Sequence, residues 1–151
     1  MILVGEMRDL ETVSAALTAA ETGHLVLATL HTNDAIQAID RVIDVFPPHQ
    51  QQQIRSQLAA SLLAVVSQRL LVRKDGTGRV ACFEVMPGTS AIRALVRDNK
   101  MHQALGLMEA GRRDGCVTMD HALSELLAVD LVSAEEAARY TRGPRLAPLP
   151  R

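Results

Sequence analysis

The chain has 151 residues, with 16 Lys plus Arg against 17 Asp plus Glu and a formal net charge of -1. That length fits one ordinary domain able to bury a core without disulfides. The near-neutral balance argues against a general nucleic-acid binder or a polybasic membrane-surface protein, and aromatics at 2% (Phe46, Phe83, Tyr140) are too few for a base-stacking surface.

The elements follow in chain order. Ile2-Leu3-Val4 is a short apolar run ending at Gly5 and Glu6, the pattern of a strand buried on both faces in a parallel sheet. Asp9 reads as the N-cap of a helix whose apolar face is Leu10, Val13, Ala16, Leu17 and Ala20, and Gly23 as the residue just past its end. His24 to Leu30 is a second apolar run. Asn33 or Asp34 can cap the next helix, which carries Ile36, Ile39, Ile43 and Phe46 in one stripe until Pro47-Pro48 stops it. Strand, helix, strand, helix is the signature of a right-handed parallel α/β layer.

Gln50 to Gln53 read as the solvated first turn of a third helix, with Ile54, Leu58, Leu62 and Val65 in register. Gln68–Arg73 and Arg79–Met86 read as two strands around Asp75-Gly76-Thr77-Gly78, a hairpin signal. After Pro87-Gly88 the pattern predicts four short helices near 90–98, 101–110, 118–129 and 133–141, the last opened by Ser133 and Glu136 at capping-box spacing. Residues 1–88 are therefore expected to be an α/β core and 89–142 a helical subdomain. The Pro-rich tail 143–151 is expected to be disordered.

Cys82 and Cys116 cannot form a disulfide framework or a four-thiolate zinc site and read as small buried side chains. No apolar run reaches the ~18 residues of a membrane span, and no basic region precedes the short run at Met1–Val4, so neither an integral membrane segment nor a signal peptide is expected. The expected compartment is the cytoplasm.

In open parallel sheets ligands bind beyond the carboxyl ends of the strands. Glu6 and His31 fall at two such ends, His31 beside Thr29 and Thr32. On one rim, a carboxylate can take a water's proton or hold a magnesium-bound water, and an imidazole can meet a phosphate oxygen. The plainer alternative is that Glu6, with Asp9, serves the N-terminus of the following helix. His24 lies seven residues before His31, roughly 23 Å along an extended strand, so the two cannot share one metal and His24 belongs to the opposite edge. His49, His102 and His121 lack ligand spacing, and no metal site is expected.

Several segments in order then carry a resemblance. Gly5-Glu6-Met7-Arg8-Asp9 resembles the Walker B segment of the secretion and type IV pilus ATPases, and Thr22 to Asn33, with His24, Thr29 and His31, resembles their histidine box. Ile39 to Pro47 resembles the continuation in the pilus-retraction, PilT-like branch, and Ala91-Ile92-Arg93-Ala94-Leu95-Val96-Arg97 is similar to that branch's AIRNLIR-type helix. The likeness runs from residue 2 to about 130.

It implies a partial RecA-like P-loop NTPase core followed by a small helical bundle, within a hexameric cytoplasmic motor. Such a motor sits at the inner membrane at the pilus base, engages an inner-membrane platform protein and retracts pili by hydrolysing Mg-ATP. Glu6 then matches the Walker B glutamate that orders magnesium's water or activates the attacking water, and His31 the histidine near the γ-phosphate. Arg8 and Asp9 are expected to pair structurally. Ala91, Ile92, Arg93, Leu95 and Arg97 match the retraction-associated helix, although Ala94, Val96 and Asp98 depart from its usual Asn, Ile and Glu, and plain packing is the alternative for Ile92, Leu95 and Val96. Only Cys82 and Cys116 are present where the assembly branch often carries a zinc-binding CxxC insertion, which favours retraction. No Gly-x-x-x-x-Gly-Lys-[Ser/Thr] loop appears. The expectation is thus the C-terminal portion of such a motor, inactive alone and with no nucleotide bound. Two other classes stand beside it: a non-catalytic helical module binding a ring or platform partner, and a small metal hydrolase.

Overall fold

The computed structural model describes residues 1–142, and the tail 143–151 expected to be disordered lies outside the described residues. β1 (Ile2–Val4) and β2 (Val26–Ala28) pair in parallel, Ile2 opposite Val26. Between them runs α1 (Leu10–Glu21), opened by Asp9, whose carboxylate accepts from the Thr12 amide at 2.9 Å. Gly23 follows with φ of +90°, a conformation a Cβ would strain. α2 (Ala35–Asp44) takes its cap from Asp34, which accepts from the Gln37 amide at 2.8 Å.

Two expectations for this layer need correction. The strands are not buried on both faces: Leu3 is 73% and Leu27 48% exposed. Apolar runs report a preference for burial, and among the described residues helix packing covers the pair only in part. β2 is also shorter than its apolar run, because it ladders only as far as three-residue β1 extends.

Pro48 stands in the first turn of α3 (Pro48–Ser61), where a missing N–H costs nothing. Ile54 and Leu58 are buried as expected, but Leu62 is already the C-cap and Val65 lies in a strand. β3 (Ala64–Val72) starts before Gln68, because the run Leu62 to Val66 suits both a period of 3.6 and one of 2. It forms an antiparallel hairpin with β4 (Arg79–Pro87), pairing Ser67 with Glu84 and Arg69 with Cys82. The turn closes on Asp75, which accepts from the Thr77 amide at 2.9 Å and pairs with Arg73 at 2.7 Å. Among the described residues the β1–β2 and β3–β4 pairs are separate sheets.

Beyond Gly88 lie α4 (Ser90–Arg97), a 3₁₀ turn running into α5 (Ala104–Ala110), α6 (Met119–Ala128) and α7 (Ala134–Ala138). A Cβ at Gly88 would lie 2.2 Å from the Leu62 carbonyl oxygen, so only glycine lets the chain pass there. Ser133 accepts from the Glu136 amide at 3.1 Å, but the capping box is half-made: the Glu136 carboxylate turns away to the Val72 amide at 3.0 Å. That bond ties α7 to β3.

One core joins Val13, Ile39, Ile43, Phe46 and Leu58 to Ile92, Val96 and Met108, so apolar packing is continuous across residue 88. A second joins Leu71 and Cys82 to Leu123, Val132 and Ala137. Both cysteines are buried, and burial, with Glu125 and Glu84 nearby, pushes the Cys82 thiol up to about 11.

Candidate functional site

The rim at the carboxyl ends of β1 and β2 is assembled by two links beyond the strands. The Met7 amide donates to the Thr29 carbonyl at 3.0 Å, and the Thr29 hydroxyl donates to the Gly5 carbonyl. These links hold the turn after β1 against the turn after β2. They bring His31 Nε2 to 3.4 Å from Glu6 Oε1, while Arg8 Nη2 lies 2.5 Å from Glu6 Oε2.

The Glu6 side chain is 24% exposed and that of His31 84%, so a shielded carboxylate meets an imidazole open to solvent. The hydrogen bond from Arg8 is the main force holding the Glu6 carboxyl below its ordinary value. Desolvation opposes it, and Arg8's charge and His31 add to it. The carboxylate is therefore ionised at neutral pH, with both oxygens on partners that a ligand can replace.

Glu6, Arg8 and His31 line a cavity of about 410 Å³ together with Asn33, Asp40 and Arg41. That volume lies within the roughly 300–1,000 Å³ common for small-molecule sites. Asp40 projects from α2; burial first, then neighbouring Asp44, raise its carboxyl, while Arg55 pulls the other way. An ionised carboxylate is a hard donor suited to magnesium or to magnesium's water, and an imidazole and guanidinium suit phosphate oxygens. The donor set fits the catalytic side of a magnesium–nucleotide site. It does not include the glycine-rich amide cradle, for which the sequence has no motif.

The other named residues separate cleanly. Gly5 contributes its carbonyl, and Asp9 is the cap of α1, its carboxyl lowered chiefly by the Thr12 amide. His24 precedes β2, exposed, with Nδ1 3.3 Å from the Thr22 hydroxyl, and it does not line the cavity. On α4, Ile92 and Val96 are buried and Leu95 packs against the same core, whereas Ala91 and Arg97 face solvent, Arg97 beside Asp98 at 3.4 Å. Arg93 staples α4 to α3, donating through Nε to the Gly88 carbonyl at 2.7 Å and through Nη1 to the Ala60 carbonyl at 3.1 Å. Among the described residues no three His, Cys, Asp or Glu gather to hold a metal ion, and no helix is long and apolar enough to cross a membrane.

Sequence reasoning missed Glu84. It is fully buried, and its carboxylate accepts from the Ala35 amide at 2.8 Å, the Met119 amide at 3.2 Å and Arg142 Nη2 at 3.0 Å. The signal was present in the alternation of β4, where Cys82, Glu84 and Met86 share the inward face.

Comparison with known proteins places this geometry among relatives. The model of the family described as type II/IV secretion system protein matches residues 1–75. The chain is 49% identical over 139 residues to a twitching motility protein of Neisseria gonorrhoeae, a match covering 92% of this chain and 37% of that protein. It is 51% identical over 144 residues to the type IV pilus retraction ATPase PilT of Pseudomonas aeruginosa, covering 95% of this chain and 42% of that one. The crystal structure of the pilus retraction motor PilT with bound ADP superposes with a TM-score of 0.84 at 46% identity, over 95% of this chain and 40% of that one. The chain thus spans about two fifths of the length of the curated relatives it matches.

Proposed function

We propose, from the premise that this chain belongs to the PilT-like retraction branch of the type II/IV secretion ATPases, that it carries the hydrolytic rim of an ATP-driven pilus-retraction motor. The observation that supports this most is the joint placement of Glu6 and His31 on one cavity wall, 3.4 Å apart, at the ends of parallel strands. Residues 1–88 provide that rim, and 89–142 brace it from behind.

In this reading Glu6, kept ionised beside Arg8, takes the proton of the attacking water or holds a water of the magnesium shell. His31 donates a hydrogen bond to a terminal phosphate oxygen. Bound Mg-ATP supplies the phosphoryl group and a divalent charge that offsets the negative charge on its oxygens. The phosphate cradle comes from the rest of the motor. β1, β2 and β3 each keep an edge unpaired among the described residues, where a strand from that remainder can join them. The working assembly is a homo-hexamer in the cytoplasm at the inner membrane, pulling on an inner-membrane platform protein, and the chain alone turns over no ATP. Gly5 and Asp9 build the turn that presents Glu6. His24 and Thr29 serve the architecture of β2, and the helix Ala91, Ile92, Arg93, Leu95, Arg97 transmits force through its packing on α3.

A second reading has its own observation. The outer face of the hairpin exposes Val66 at 60%, Leu70 at 47% and Phe83 at 45%, a surface that a non-catalytic interaction module would use to bind a ring or platform partner.

A chimera separates the two. The corresponding segment of a PilT-like ATPase is exchanged for residues 1–142 and magnesium-dependent ATP turnover is measured. Turnover is expected to persist and to fall by about 10²–10⁴-fold on Glu6→Gln, the range for loss of a general base. Undiminished turnover with Gln at position 6 removes Glu6 from the chemistry and favours the binding module.

A further inference from the structure

The segment from His31 to Ala35 has no strand partner, yet Asn33, Asp34 and Ala35 within it are held by side chains remote in sequence. From β3, Arg69 Nη2 donates both to the Asn33 carbonyl at 2.8 Å and to Asn33 Oδ1 at 2.9 Å. From β4, Glu84 Oε1 accepts the Ala35 amide at 2.8 Å. Arg142, at the far end of the described chain, lies 3.0 Å from that same Glu84 oxygen and 3.3 Å from Asp34 Oδ2.

These holders are themselves held from the end of the helical bundle. The Arg69 guanidinium stands over the Tyr140 ring, 5.9 Å from its centroid, within cation–π range. The Arg142 amide and the Thr141 hydroxyl both donate to Asp120 Oδ1 at 3.0 Å, which pins the last turn to the start of α6. Tyr140 and Arg142 thus bear on the turn that follows His31, and Thr141 helps to pin them to α6.

We propose that Tyr140 and Arg142, acting through Arg69 and Glu84, are positioning residues for His31: the end of the helical bundle sets where the imidazole stands on the rim. An 84% exposed side chain gains no fixed position from packing, so its backbone must be fixed instead. Asn33, two residues beyond His31, is held by Arg69 from β3 through both its carbonyl and its side chain. Arginine suits this task because its planar fork stays charged, spans two acceptors and stacks on an aromatic face. The consequence for hydrolysis rests on the nucleotide-facing reading above; the placement of His31 does not.

The test therefore reads His31 in the chain without nucleotide. Ring proton–carbon NMR signals of His31, assigned by their loss in His31→Gln, are compared in wild type, Tyr140→Ala, Tyr140→Phe and Arg69→Gln. Tyr140→Ala and Arg69→Gln are expected to shift the His31 ring signals, with those of His24, His49 and His102 unmoved. Tyr140→Phe, which keeps the ring, restores the wild-type positions. Exchange of the Ala35 amide should rise about tenfold in Arg142→Gln as local opening becomes easier. Unshifted His31 signals in Arg69→Gln, or a Tyr140→Phe spectrum equal to that of Tyr140→Ala, overturn the proposal. Should Tyr140→Ala fail to fold, Arg69→Gln decides alone. A failed ATPase chimera with these shifts present refutes the nucleotide reading and leaves the positioning intact.

Discussion

Two glutamates show how differently one side chain is used in the two sheets. Glu6, at the end of the parallel pair, leaves its carboxylate on Arg8 and His31, both side chains largely in solvent. Glu84, on the inward face of the hairpin, is wholly buried and spends its oxygens on two helix N-terminal amides and Arg142. Solvent-exposed side-chain partners can be traded for a ligand, whereas backbone amides in a dry interior cannot. The first arrangement suits chemistry and the second suits architecture. Glu84 is also placed where negative charge is favoured, at the starts of α2 and α6.

Substitution should separate them sharply. Glu84→Ala strands two buried amides and a guanidinium and is expected to cost about 3–5 kcal/mol in urea unfolding, as for a broken buried ion pair. A loss below about 1 kcal/mol would mean that water reaches this site freely. Next comes α4, where Ile92→Ala should cost about 2–5 kcal/mol through the cavity it leaves, while Arg97→Ala on the exposed side stays within about 0.5 kcal/mol. Equal effects would contradict the burial of one face and the exposure of the other.

Glu6→Gln should change the stability of the chain least, because its partners are solvated and screened. The sign is fixed even so. The folded carboxyl titrates below its ordinary 4.5, so its contribution is present above that pH and is lost as pH falls through the lower, folded value. A wild-type chain whose difference from Glu6→Gln grows on acidification would reverse that sign.

Much of the fold was legible because its signals are local. Asp9 and Asp34 cap, Gly23 ends a helix, Pro48 begins one and Asp75 to Gly78 turn a hairpin through chemistry confined to a few residues. The meeting of Glu6 and His31 was legible from strand ends alone, since parallel neighbours deliver both to one rim. What stayed hidden is long-range. Nothing near Glu84 in sequence announces Ala35, Met119 or Arg142, and nothing near Asn33 announces Arg69. Val65 was misplaced for a related reason: its helical stripe is real, and pairing with Met86 overrides it.

The most direct test of the rim's role separates binding from chemistry in the chimeric motor. Nucleotide affinity and ATP turnover are measured side by side for wild type and Glu6→Gln. If the carboxylate acts on water, affinity changes by less than about threefold while turnover falls by about 10²-fold or more. Parallel loss of both, or loss of neither, would contradict a chemical role for Glu6.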